Sequence, residues 1–139
     1  MALIDDIYQR ITPTHLLYIR LKKNHLEIKH IKSGNTIEGM SEKPFSNERL
    51  LIADYLIAEA YAKDLIAELL HSKRKLLDRA LTIVLQLADE SITDITPSEK
   101  RIYVDFASFI GAKYYYLVEH KRRLLDEEVR EVVKGKQTT

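Results

Sequence analysis

The sequence predicts one α/β domain with a mixed sheet, in the order β-β-β-α-β-α-β-α. Three observations carry that prediction. Within residues 80–89 an apolar run of eight residues is interrupted only by one threonine and one glutamine, the pattern of a strand buried on both faces. Thr96-Pro97-Ser98-Glu99 then opens a helix, with Thr96 as cap, Pro97 at the first helical position and Glu99 able to reach back to the cap amide. That helix reads through Ile102, Phe106, Phe109 and Ile110 to a stop at Gly111, and residues 112–119 form another strand. Strand, helix, strand defaults to a parallel pair.

The preceding elements follow from periodicity. Residues 3–10 form a short amphipathic segment with Leu3, Ile4, Ile7 and Tyr8 on one helical face, ended by Pro13, so residues 1–13 are expected as an N-terminal helix packed on the domain, with a partner-binding helix as the alternative. Residues 15–21 read as a strand, Lys22-Lys23-Asn24 as a tight turn, and residues 25–31 as a strand with one wet face. Ser33-Gly34-Asn35 turns the chain into a short third strand from Thr36, which completes an antiparallel meander. After a loop at residues 43–47, where Ser46 or Asn47 can cap, a long helix is expected from about Glu48 to Ser72. Its stripe is Leu51, Tyr55, Ala58, Ala62, Leu65 and Leu69, widened by Ile52, Ile66 and Leu70. So wide an apolar surface is either buried or carries a partner. Residues 119–135 read as a charged helix with the stripe Leu125, Val129, Val132 and Val133, followed by a frayed tail, so residues 120–139 are a charged helix and tail.

Composition narrows the function classes. The 139 residues suffice for one core, and 22 basic against 21 acidic residues leave a formal charge of +1, with no global pull toward nucleic acid or anionic membrane. There is no cysteine, which excludes disulfides and thiolate metal sites. No apolar stretch approaches the ~20 residues of a membrane span, and Asp5 and Asp6 interrupt the only apolar segment near the start, so a cytoplasmic protein is expected.

Three segments resemble the MreB-type bacterial actins, in that family's order and with similar spacing. Residues 52–60, IADYLIAEA, are similar to its "IADFxxTEAM" segment; residues 95–101, ITPSEKR, to its "xTxxERR" helix start; residues 111–119, GAKYYYLVE, to its "GAxxVYLIEE" strand. The resemblance covers roughly residues 15–119 and implies a ribonuclease-H-like, actin-subdomain fold. It also exposes departures. The family's first strand ends in "DLGT", whose aspartate serves the nucleotide's metal. Here Arg20 stands in place of that aspartate and Lys22 in place of the glycine. Arginine cannot ligate Mg²⁺, which takes oxygen ligands, and a lysine side chain crowds the approach of backbone amides to phosphate. After Glu119 the family's "PMAAAIG" is replaced by His120-Lys121-Arg122-Arg123. The resemblance thus implies a truncated actin fold, one subdomain without phosphate loop or nucleotide cleft, with no cofactor.

Candidate chemistry is sparse. Glu99 matches a family glutamate near the ATP γ-phosphate, but the capping box with Thr96 accounts for it without any nucleotide and is the expected role. Two-metal nucleases need carboxylates converging from several strands, whereas the first strand has none and Asp89, Glu90 and Asp94 share one loop. Among His15, His25, His30, His71 and His120 no pair has helical metal spacing; His15 and His25 could face each other across the hairpin. The basic groups Lys22/Lys23/His25/Lys29/His30/Lys32, Lys73/Arg74/Lys75/Arg79 and Lys121/Arg122/Arg123 could line one sheet edge, the feature a nucleic-acid-binding accessory module would use, but the acidic residues balance them. Of Tyr114, Tyr115 and Tyr116 at most two share a face, with Tyr115 the odd one out. The expectation is a non-catalytic interaction or assembly protein that binds itself, as a homodimer, or another protein. Its candidate surface is Leu51, Tyr55, Ile66, Leu70 and Tyr115, with no metal, no nucleic acid and no membrane contact.

Overall fold

The computed structural model describes residues 14–71 and 80–135. The amphipathic segment of residues 1–13, the basic residues Lys73, Arg74, Lys75 and Arg79, and the tail from residue 136 lie outside the described residues. The element order is the expected one: β1 (Thr14–Lys22), β2 (His25–His30), β3 (Thr36–Met40), α1 (Tyr55–Leu69), β4 (Ala80–Leu87), α2 (Pro97–Phe109), β5 (Ala112–Val118) and α3 (Asp126–Val133). The five strands form one sheet in the order β3-β2-β1-β4-β5. β1 pairs antiparallel with β2 and parallel with β4, and β4 pairs parallel with β5.

Strand alternation sorts the core into two layers. Leu17, Ile19 and Leu21 of β1 and Leu81, Ile83, Leu85 and Leu87 of β4 face α1 and α2, where Tyr103 and Phe106 are fully buried. Tyr18, Val84 and Val118 face the other way, against Leu124 and against Val129 of α3. The central strand is thus covered on both sides, as its apolar run predicted. Each such side chain contributes about 1.5–3 kcal/mol by leaving water.

The entry to α2 is the expected capping box: the Thr96 hydroxyl accepts from the Glu99 amide at 3.2 Å, and the Glu99 carboxylate accepts from the Thr96 amide at 3.4 Å. Gly111 has φ +110°, the conformation its position after the helix required.

Two helices differ from expectation. α1 begins at Tyr55, not near Glu48, because Asp54 is the residue whose carboxylate caps it, accepting from the Ile57 amide at 3.1 Å. The residues before it are held in turns. Asn47 Oδ1 accepts from the amides of Arg49 and Leu50, and the Phe45 carbonyl accepts from those of Ala53 and Asp54. α3 begins at Asp126, not at Glu119, and Leu125 is 70% exposed, outside the stripe; Leu124 is buried in its stead. The reason is that carbonyls at 120–122 accept hydrogen bonds from side chains of β1 and β4, described below, and are unavailable to a helical ladder. Three acids in the first turn of α3 complement its dipole.

Candidate functional site

The resemblance directs attention to the end of β1 and its neighbour β4. Arg20 and Gln86 are directly opposite one another in the parallel β1–β4 register. Both side chains leave the sheet on the α3 side, and both are buried: Arg20 is 8% and Gln86 0% exposed. Gln86 Oε1 accepts from Arg20 Nε at 3.0 Å and from the Tyr18 hydroxyl in a short contact. Gln86 Nε2 donates to the carbonyls of His120 and Arg122 at 2.8 and 2.7 Å. Arg20 Nη2 donates to the Lys121 carbonyl at 2.9 Å. The Leu124 amide donates to the Tyr18 hydroxyl at 2.9 Å, and Lys121 Nζ reaches the Leu87 carbonyl at 3.0 Å. A buried guanidinium is tolerated here because amide and carbonyl oxygens surround it. Burial raises the Tyr18 hydroxyl's pKa, although the Leu124 amide opposes it.

The segment 119–125 is therefore strapped across the sheet, and ion pairs extend the strap outward. Arg123 pairs with Glu27 of β2 in a two-pronged contact, Lys29 with Asp126 at 2.7 Å, and Arg122 with Glu128 at 2.7 Å. These pairs commit three members of the basic groups, so those members are not an open cationic face. The hydrogen bond from Arg123 lowers the Glu27 pKa against a smaller opposing effect of burial. The hydrogen bond from Arg122, with help from the Leu125 amide, brings Glu128 down to about 2. Both carboxylates sit below their ordinary value, so the stability they add is complete above about pH 4.5, and it is lost as pH falls through the folded values, about 2 for Glu128. In thermal melts across that window, Glu128→Gln is expected to flatten the acid-side fall in melting temperature. Parallel curves for the variant and the parent protein would refute this account.

At the carboxyl ends of β4 and β5, where open α/β sheets place their ligands, there is a pocket of about 160 Å³ lined by Leu87, Ile92, Asp94, Ile95, Glu119 and Lys121 among others. That is below the ~300 Å³ at which pockets for drug-sized ligands begin. Asp89, beside it, is occupied: its carboxylate accepts from the Lys23 amide at 3.0 Å and from the Ser91 amide and hydroxyl. Burial raises its pKa, and those hydrogen bonds outweigh that and leave it lowered. Glu99 is held by its capping box and by Arg49 at 2.8 Å. Among the described residues no group of three or more His, Asp or Glu side chains could hold a metal ion.

The candidate partner surface divides. Leu51 and Ile66 are 0% and 1% exposed and belong to the core under the sheet, so neither can meet a partner in the folded protein. Periodicity showed that they would be covered, and the cover is the chain's own sheet. Tyr55 and Leu70 are half-buried against the same core. Tyr55 stacks edge-on with Phe109 at 5.5 Å. Tyr115 is 42% exposed, on the opposite face from Tyr114 and Tyr116, as alternation required. His15 meets His30, Nδ1 to Nε2 at 3.0 Å, and not His25, which lies opposite Lys22 and near Glu38. The β1–β2 register is what separates them. No helix among the described residues is long and apolar enough to cross a membrane.

Gln86 is the functional-looking residue the sequence did not single out. Its signal was a lone amide in an apolar strand, on the face opposite the leucines.

No family model matches the chain. It is 35% identical over 54 residues to YjaA of Escherichia coli (strain K12), described as an uncharacterized protein; the match spans 39% of this chain and 41% of that one. The fold is similar to the ethanolamine utilization protein EutJ from Carboxydothermus hydrogenoformans, with a TM-score of 0.52 and 13% identity, over 85% of this chain and 43% of that one. MreB5 of Spiroplasma citri bound to ADP is similar at a TM-score of 0.49 and 12% identity, over 77% of this chain and 38% of that one. The chain thus matches less than half the length of each of these proteins. The strand order, the parallel β1–β4–β5 core and the EutJ likeness together give the chain an actin-like, ribonuclease-H-like subdomain fold.

Proposed function

We propose that the protein is a non-catalytic interaction or assembly protein of the bacterial actin type, with a cytoskeletal or cell-shape role, that acts by binding itself or a protein partner. The observation that carries this reading is the strap over Arg20 and Gln86. In the family resemblance, the end of β1 presents a metal-serving aspartate toward nucleotide. Here that position is a buried guanidinium whose Nε donates to Gln86 and whose Nη2 donates to the Lys121 carbonyl. Large apolar side chains remain exposed for outside contact: Met40, Leu56, Phe109, Tyr115 and Leu125. The nucleic-acid alternative loses support because Lys29, Arg122 and Arg123 are spent on Asp126, Glu128 and Glu27.

The test is affinity capture of tagged protein from its host's lysate, with Tyr115→Lys as the folded control, and an ATP assay with magnesium on the same preparation. A host protein, or untagged copies of this chain, enriched by the parent protein and lost with Tyr115→Lys is expected, with no saturable ATP binding and no phosphate release. Magnesium-dependent binding retained in Glu99→Gln while turnover vanishes would overturn the reading.

A further inference from the structure

β5 is an edge strand: among the described residues it pairs with β4 alone. The opposite edge, β3, is a short strand of five residues that includes Glu38 and Gly39, and Tyr61 packs so closely on Gly39 that a Cβ there would lie 2.5 Å from its hydroxyl. Short length and charge are common ways of blunting an edge. β5 is seven residues long, without glycine or proline, and carries three consecutive tyrosines. Its pairing with β4 is irregular only at its start, where Leu81 matches Ala112 and Thr82 matches Tyr114, which leaves Lys113 as the extra residue of a bulge. From Tyr114 to Val118 the ladder is regular.

We propose that this edge pairs antiparallel with β5 of a second copy of the chain about a two-fold axis, so that two five-stranded sheets join into one of ten strands. The proposal rests on the interaction reading above and names the partner and the surface. The sequence of the edge selects the register. Centred on Tyr116, the pairing sets Tyr116 against Tyr116, Tyr115 against Leu117 and Tyr114 against Val118, and it brings Lys113, at the bulge, near Glu119, just past the end of the strand, at both ends. Apolar residues oppose apolar residues, and opposite charges close the ladder. Moving the centre to residue 117 sets Lys113 against Lys121 and Tyr115 against Glu119; moving it to residue 115 sets Lys113 against Leu117. Only the first register is complementary throughout, and a two-fold interface demands that self-complementarity. Glu119 already meets Lys100 of α2 at 3.1 Å, on a side chain that is half exposed, so a second cation can approach it. Tyr115 and Lys113 are both exposed in the single chain. A strand-to-strand interface of this length is small, which predicts a weak, concentration-dependent dimer.

Sedimentation velocity on the full chain, from micromolar to millimolar, tests this. The expected result is a monomer–dimer equilibrium that Lys113→Glu weakens by about tenfold through two like-charge contacts. Glu119→Lys should do the same, and the double variant Lys113→Glu with Glu119→Lys should restore the parent affinity. Tyr115→Lys should leave monomer only. Circular dichroism confirms that each variant folds, and the charge swap provides a readout that a folding defect would not rescue. A strict monomer throughout overturns the proposal. A dimer indifferent to all four variants overturns it as well but leaves the interaction reading standing, whereas ATP turnover would fell that reading and not the dimer.

Discussion

Gln86→Leu is expected to lower the unfolding free energy by about 3–5 kcal/mol, the largest effect of any single polar substitution in the sheet. Leucine fills similar space, so the loss is one of hydrogen bonds and not of packing. Four groups depend on this amide: the Tyr18 hydroxyl, Arg20 Nε and the carbonyls of His120 and Arg122. An orphaned buried group costs about 1–3 kcal/mol, more if charged, and Arg20 would be left as a buried cation short of an acceptor. Arg20→Met should cost less, because it removes the desolvated charge together with its need for partners. The double variant should then be more stable than the sum of the two losses predicts. Denaturant titrations of the two single variants and the double variant form the cycle. Exchange protection of the Leu124 amide, which donates to Tyr18, should fall in Gln86→Leu if the strap lifts. A loss under about 1 kcal/mol, or strict additivity, would mean that the network does not act as a unit.

That network also marks where the sequence stops being readable. Local signals were sufficient for β4, for the Thr96–Glu99 capping box and for the turn at Gly111, since each is decided within a few residues. They failed at residues 119–125, where composition favours a helix. The donors that claim those carbonyls come from Arg20 and Gln86, 101 and about 34–36 positions away, and no window of local propensity contains them. The start of α1 failed for a related reason. An apolar period continued from Leu51 into the helix, but Phe45, Leu51 and Ile52 enter the core from turns, not from helical positions. Periodicity reports that a residue is covered, not what covers it, and Leu51 and Ile66 were therefore legible as buried and illegible as surface. Tyr115 was placed correctly because strand alternation is a geometric rule that holds without knowledge of partners.

Asn24→Ala is the second large effect, an expected loss of about 2–5 kcal/mol, and it divides into two parts. Asn24 has φ +55° in the β1–β2 turn, the left-handed region that asparagine tolerates and alanine does not, worth about 1–2 kcal/mol. Its Oδ1 also accepts from the amides of Phe45 and Ser46, both at 2.8 Å, which adds roughly 0.5–1.5 kcal/mol for each bond. Asn24→Gly separates the parts: it recovers the backbone preference and keeps only the hydrogen-bond loss, so it should fall between the parent protein and Asn24→Ala. Asn24→Asp keeps both features and should lie nearest the parent protein. A ranking with Gly below Ala in denaturant titrations would show that the turn is not held in the left-handed region for the reason given. The same residue bears on function. Its amide donates to the Ser46 hydroxyl at 2.8 Å, and its carbonyl accepts from the Ser41 amide at 2.9 Å. The resemblance places a phosphate-binding loop at this turn, where such a loop must leave amides open to an anion. Here the Asn24 amide bonds to the 41–51 segment, and the neighbouring Lys23 amide to Asp89. A turn closed in this way contributes rigidity to the sheet; Asn24→Gly removes only the Oδ1 bonds, so it should loosen residues 41–51 without opening the backbone amides to phosphate.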